Sequence, residues 1–152
     1  LKKQAQRLGF SLERDVVFTG ALPFDNLINV YYSADLFVFS SVTETQGLVL
    51  LEAMAAHLPV VAVRANGVQD MVDDGINGYL TPCDIKKFSA AVCSILKDAD
   101  TYRKFSTNAL LKADSLSSYN MAKKMEKVYQ QLDIRNRRHR NPMKDLIGWF
   151  GS

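Results

Sequence analysis

An open parallel α/β sheet with helices on both faces is the fold this sequence predicts, and three observations predict it. Short, wholly apolar runs recur at Asp15–Thr19, Asp35–Ser40 and Pro59–Val63. Runs of that kind suit strands covered on both faces, as in parallel sheets. Helical patterns alternate with them, as crossover connections require. The first run is ended by Gly20 at what would be the carboxyl edge of the sheet, where open sheets of this class place their ligands.

Residues 1–9 predict a helix ended by Gly9 as its C-cap. Asp15–Thr19 is the first short strand, stopped by Gly20. Pro23 opens a helix at a position that suits it, with Leu27, Val30 and Tyr31 spaced to face a core. Asp35–Ser40 is the second strand; Ser40, Ser41 and Thr43 then offer hydroxyls to cap the next helix. That helix opens at Gln46-Gly47 and runs to Ala56, and Pro59–Val63 is the third strand. Asn66-Gly67-Val68-Gln69-Asp70 is a turn and helix start at the same edge, with Asp70 as a ligand contact or a first-turn acid. Asp73–Gly78 is a turn rich in residues that tolerate positive φ, and Tyr79-Leu80 a last short strand. Asp84 caps a helix over 85–97 that buries Phe88, Val92, Ile95 and Leu96. Helices near 100–113 and 118–132 complete the body, with Tyr119, Met125 and Tyr129 read as packing residues.

Composition narrows the function. Of 152 residues, 47% are apolar, which fits one globular domain with a true core. No apolar run is long enough to span a bilayer, and no leader peptide is visible. Cys83 and Cys93 lack metal-type spacing and read as reduced, structural thiols; two scattered His do not make a metal site. After Gln131, five cations face two anions, so the tail carries the chain's whole net charge of +3. There Met143, Leu146, Ile147 and Phe150 form an amphipathic stripe with Trp149 beside it, directly after Arg135-Asn-Arg-Arg-His-Arg140. Two readings stay open for 133–152: a membrane-surface anchor, or a segment docking on another part of the protein. The body shows no basic-aromatic interleaving, which argues against nucleic acid.

The chemistry concentrates at 40–56. The helix from Leu48 to Ala56 is apolar on every side except Glu52, so a buried helix is expected. A lone carboxylate there either meets a donor across the core or faces a ligand. The first amides, at Gly47, Leu48 and Val49, have no partners within the helix, and with the helix dipole they form an anion site that suits phosphate. Gly47 permits close approach of a ligand to the backbone. Glu52 lies about 7–8 Å further along the axis at the usual rise, within reach of a sugar attached to a bound diphosphate. Glu44 stands in the loop on the other side.

The run Glu44-Thr45-Gln46-Gly47-Leu48-Val49-Leu50-Leu51-Glu52-Ala53-Met54-Ala55-Ala56, followed by Pro59-Val60-Val61, resembles the Glu-x7-Glu signature of family-4-type retaining glycosyltransferases. Val16-Val17-Phe18-Thr19-Gly20, Tyr31-Tyr32-Ser33-Ala34-Asp35-Leu36-Phe37-Val38-Phe39-Ser40 and Asp74-Gly75-Ile76-Asn77-Gly78-Tyr79-Leu80 resemble flanking motifs of that family, in its order. The resemblance covers residues 1 to 132. It implies a Rossmann-like sheet forming part of the C-terminal lobe of a two-lobed GT-B fold, cut short at its N-terminus, with 133–152 as a separate tail. The acceptor lobe and the Gly-Arg and Lys positions that clamp the diphosphate would lie upstream of Leu1. The family carries Gly at the position of His57, and Glu at that of Asp70.

The implied activity is retaining transfer of a hexose from a nucleotide-diphosphate sugar, with a UDP-sugar as donor, to a lipid or saccharide acceptor. In the implied roles, catalytic Glu44 holds hydroxyls of the transferred sugar. Thr45, Gln46 and Gly47 offer amides around it, Leu48 and Val49 give amides to the diphosphate, Glu52 holds the ribose diol, and Gly20, Ala21 and Leu22 lie near the base. No metal and no cofactor are implied. The Thr-Gln after Glu44 resembles the bacterial glycolipid-forming branch. With the tail, that points to a lipid acceptor and a cytoplasmic enzyme peripheral on the inner membrane face. Polysaccharide or other glycoside synthesis, nucleotide-sugar epimerisation and a non-catalytic sugar-nucleotide-binding module are the alternatives. The fragment alone is expected to be inactive.

Overall fold

The structure, a computed structural model, describes residues 1–139, with side chains described as far as Leu132. The expected stripe at Met143–Phe150 lies outside the described residues. Ten elements succeed one another: α1 (Lys2–Arg7), α2 (Phe24–Tyr32), β1 (Phe37–Phe39), α3 (Leu48–Ala55), β2 (Val60–Val63), α4 (Asn66–Gln69), β3 (Gly78–Thr81), α5 (Ile85–Lys97), α6 (Ala99–Ser115) and α7 (Ser118–His139). The strands form a parallel sheet in the order β1-β2-β3, with Phe37 opposite Val60 and Val60 opposite Gly78.

β2 is central and buried at all four positions, as its unbroken Val-Val-Ala-Val run predicts. Its alternate side chains feed two clusters on opposite faces of the sheet. Val60 and Ala62 join Leu50 and Met54 of α3, Val68 of α4, and Ala109 and Ala113 of α6. Val61 joins Ile95 of α5 and Phe105 of α6, where the Tyr79 and Phe105 rings meet edge to face at 5.0 Å. So α6 serves both faces. Its alanines, Ala109 and Ala113, lie on the α3 side and let the two helices pack closely.

Helix ends match their sequence signals. Asp84 caps α5 by accepting from the Lys87 amide at 2.9 Å, and Asp98 caps α6 by accepting from the Asp100 amide at 3.0 Å. At the end of α3 the Leu58 amide donates to Ala53 and the His57 amide to Met54. That is a Schellman closure, which needs a left-handed residue, and His57 supplies it at φ +65°.

Several elements differ from expectation. Residues 15–19 form no strand; Val16 makes one bridge to Leu12, and the preceding turn is held by the Asp15 carboxylate on the Ser11 amide at 2.8 Å. Phe18 meets the Lys2 ammonium instead of a sheet, and Val17 is 63% exposed. An apolar run becomes a buried parallel strand only if both its faces are covered. On α2, Val30 faces out, because the helix touches the body along one narrow side. Leu96, near the end of α5, is likewise exposed, and so are Tyr119, Met125 and Tyr129, as α7 packs principally on α6 and only along part of its length. Cys83 and Cys93 are free and exposed, not packed.

His57→Gly removes the steric cost of a left-handed side chain, about 1 kcal/mol. Thermal unfolding is expected to rise by about 3 °C for a domain of this size. An unchanged or lower Tm would contradict the Schellman assignment.

Candidate functional site

The site is built on the loop that carries the chain from β1 into α3. Gly47 is the N-cap of α3 and adopts the left-handed conformation at φ +66°, ψ +28°. It is buried, and a Cβ there would lie 3.0 Å from the Gly67 carbonyl oxygen and 3.1 Å from Leu50. Across from it, a Cβ on Gly67 would lie 2.5 Å from the carbonyl carbon and oxygen of Thr45. The Gly67 amide donates to the Glu44 carbonyl at 3.2 Å. Two backbones thus touch without side chains between them, and the α4 start fixes the loop from behind.

Glu44 fixes it from the front. Its Oε1 accepts hydrogen bonds from the amides of Thr45 at 2.9 Å, Gln46 at 3.1 Å and Gly47 at 3.0 Å. These three donors hold the carboxylate's pKa below its ordinary value, with Gly47 contributing most. Here the geometry departs from the sequence reading. The Thr45, Gln46 and Gly47 amides are turned onto Glu44 itself, not outward around a ligand. The serine and threonine hydroxyls do not cap α3 either; Ser41 Oγ accepts from the Thr43 amide at 3.4 Å. The sequence carries no signal for this self-closed loop, because almost any glutamate precedes three consecutive amides and only the loop geometry turns them onto it.

The next amides are different. No hydrogen bond reaches the amides of Leu48 or Val49 among the described residues, whereas the Leu50 amide is already used by the Gly47 carbonyl at 2.9 Å. Leu48 is 57% exposed. Two bare donors at a helix start, with the positive end of its dipole behind them, suit an anion.

From Leu48 an open strip continues down α3. Glu52 and Ala55 are exposed with it, at spacings that share one helix face. The expectation of a helix buried on all sides therefore fails. Leu50, Ala53 and Met54 alone are fully buried, since α6 and the sheet cover one side only. Glu52 Oε2 accepts from the Tyr31 hydroxyl of α2 at 3.0 Å. Burial first, and the Glu52 carboxylate second, push that hydroxyl's pKa up to about 12, so it remains a donor at neutral pH. Between α2 and α3 lies a cavity of about 240 Å³, with Phe24, Leu27, Tyr31 and Tyr32 on one wall and Glu52 and Ala55 on the other.

Gly20 and Ala21 lie in the exposed turn ahead of α2, Gly20 at φ +64°. No hydrogen bond joins them to the α3 loop among the described residues. Asp70 is the C-cap of α4, not a first-turn residue. No group of acidic, His and Cys side chains suited to a metal occurs among the described residues. Also among them, no helix is long and apolar enough to cross a membrane.

The Glu44 hydrogen bonds predict a pH response. A carboxylate with a lowered folded pKa stabilises its loop above the ordinary carboxylate range and ceases to do so as the pH falls through the lowered value. The amide NMR shifts of Thr45, Gln46 and Gly47 should titrate together with a midpoint below the free glutamate value of about 4.3. In Glu44→Gln that titration should vanish. Gly67→Ala should cost about 1–3 kcal/mol in urea unfolding, because backbone must move to admit the Cβ.

Residues 1–98 match the family model described as Glycosyl transferases group 1. The sulfoquinovosyl transferase SQD2 of Arabidopsis thaliana is 44% identical over 89 residues, 56% of this chain and 18% of its own length. A D-inositol 3-phosphate glycosyltransferase of Corynebacterium urealyticum is 35% identical over 87% of this chain and 31% of its own. An alpha-monoglucosyldiacylglycerol synthase of Streptococcus pneumoniae is 28% identical over 95% and 32%. Among solved structures, Anabaena Alr3699/HepE in complex with UDP-glucose superposes with a TM-score of 0.71 at 26% identity, over 87% of this chain and 35% of that one. The chain thus spans under a third of the length of these curated relatives. The α/β architecture is that of GT-B glycosyltransferases, and the chain belongs to the group 1 glycosyl transferase family.

Proposed function

We propose that this chain is the donor-binding part of an enzyme that transfers a sugar from a UDP-sugar with retention of configuration. One observation carries the reading: the bare Leu48 and Val49 amides open the same exposed strip of α3 on which Glu52 stands, with Glu44 in the loop before them. The diphosphate takes those two amides. When the bond from the sugar's anomeric carbon to the diphosphate oxygen breaks, negative charge gathers on the departing phosphate. Preset donors stabilise that charge at no cost of reorganisation during the reaction. The acceptor oxygen bonds to the anomeric carbon, and its proton leaves with the phosphate.

Glu44 binds the transferred sugar. Its Oε1 is held by the loop, while Oε2 takes no hydrogen bond among the described residues and can accept from a sugar hydroxyl. Thr45, Gln46 and Gly47 then act through Glu44. Glu52 accepts from the ribose diol, and Gly20 and Ala21 lie toward the base. The complex of Alr3699/HepE with UDP-glucose supports the choice of base. Cations that balance the diphosphate come from another part of the protein.

A lipid acceptor is the first choice. The relative that covers 95% of this chain is named for a diacylglycerol product, and the +3 tail suits an anionic membrane surface and a place on the inner membrane face. The inositol phosphate relative favours a small soluble acceptor as the second reading.

In the full protein, Glu44→Ala is expected to lower kcat by at least about 100-fold, the scale of a lost transition-state contact. Its affinity for UDP should stay within a few-fold of native, since UDP lacks the transferred sugar. Native turnover in that variant would remove Glu44 from the site. NMR of the product's anomeric proton decides between retention and inversion.

A further inference from the structure

Tyr31 was set by its spacing to fill the core, yet its hydroxyl is spent on a carboxylate from another element. The bond to Glu52 Oε2, at 3.0 Å, links residues 21 positions apart and is the one side-chain hydrogen bond between α2 and α3 among the described residues. The ring behind it is fixed. It packs on Phe37 with centroids 6.0 Å apart, and Phe37 stacks on Phe39 at 6.3 Å, so β1 carries Tyr31 on an aromatic column. Glu52, by contrast, is an exposed side chain with three rotatable bonds and no other hydrogen bond among the described residues. Left alone it would sample many rotamers, and ordering it on a ligand would cost entropy.

We propose that Tyr31 is a positioning residue: it holds Glu52 Oε2 so that Oε1 faces the cavity between α2 and α3 ready to accept from a vicinal diol. The proposal rests on the reading of Glu52 as the ribose contact. Its consequence is selectivity. With one carboxylate oxygen occupied by a fixed donor, the other can meet only donors arriving from the cavity side. A ligand without the diol leaves Oε1 unpaired where a ribose would have satisfied it. The hydroxyl keeps its proton at neutral pH, so the arrangement does not depend on small changes of pH.

The test is a cycle in which the residue and the ligand hydroxyls are removed separately and together, with calorimetric titration of UDP and 2′,3′-dideoxyUDP into the full protein. Native protein should prefer UDP. Tyr31→Phe, which keeps the ring on Phe37, should weaken UDP about 3- to 10-fold, the range of one hydrogen bond, and leave dideoxyUDP unchanged. Glu52→Ala should abolish the preference. Equal weakening of both nucleotides by Tyr31→Phe, or no effect on either, overturns the positioning role while the Glu52 reading stands. A preference that survives in Glu52→Ala, or that native protein lacks, removes the Glu52 reading and the Tyr31 role with it. Tyr31→Phe should also leave Tm within about 2 °C of native, the scale of an exposed-edge substitution; a larger fall with equal loss of both nucleotides assigns Tyr31 to packing alone.

Discussion

Everything at this site depends on one carboxylate oxygen. Glu44 Oε1 gathers three consecutive amides, and in doing so it fixes the path by which the chain leaves β1 and enters α3. A loop of that length could take many shapes, each losing about 1–2 kcal/mol per residue on ordering. Glu44 supplies local bonds against that loss. The contact of Gly47 with the Gly67 carbonyl, and of Gly67 with Thr45, supplies the wall behind. With both in place, α3 starts at Leu48, and its first two amides have no hydrogen-bond partner among the described residues. The bare donors are the result of a closed loop, not of a loose one.

The rest of the fold holds α3 along one side only. Leu50 and Met54 sink into the cluster shared with Val60, Ala62, Ala109 and Ala113, and small side chains on α6 bring the two helices together. Leu48, Glu52 and Ala55 are left on the opposite side. A helix that is mostly apolar and yet half open has little to gain from exposure in itself. On the proposed reading, a bound donor covers that open strip.

The sequence made the central elements plain. The β2 run, the Asp84 cap and the α3 helix needed only composition and period, and they stand where expected. What it hid depended on neighbours. Residues 15–19 have the same apolar character as β2, but no strand pairs beside them, so the pattern alone misled. Glu52 looked like a buried charge because its helix is apolar all round in sequence, and the burial of that helix is set by α6, which lies over 40 residues away. Tyr31 was legible as a packing residue and illegible as a donor, because its partner stands on another element. Glu44 stood out as a candidate; that its first partners are its own three successors is a matter of loop geometry, which periodicity does not report.

Electrostatics constrains how the proposed diphosphate could be held. A diphosphate at Leu48 and Val49 would lie between two carboxylates, and the loop amides favour the charged form of Glu44 by lowering its pKa. Like charges repel, so each acid would oppose the phosphates. A helix dipole offers about half a unit of positive charge, which offsets part of that repulsion and not the whole. On the proposed reading, cationic side chains would balance the remainder. Both carboxylates already accept protein hydrogen bonds, Glu44 from its loop amides and Glu52 from Tyr31, which leaves one oxygen of each without a partner among the described residues and open to the sugars of the proposed donor.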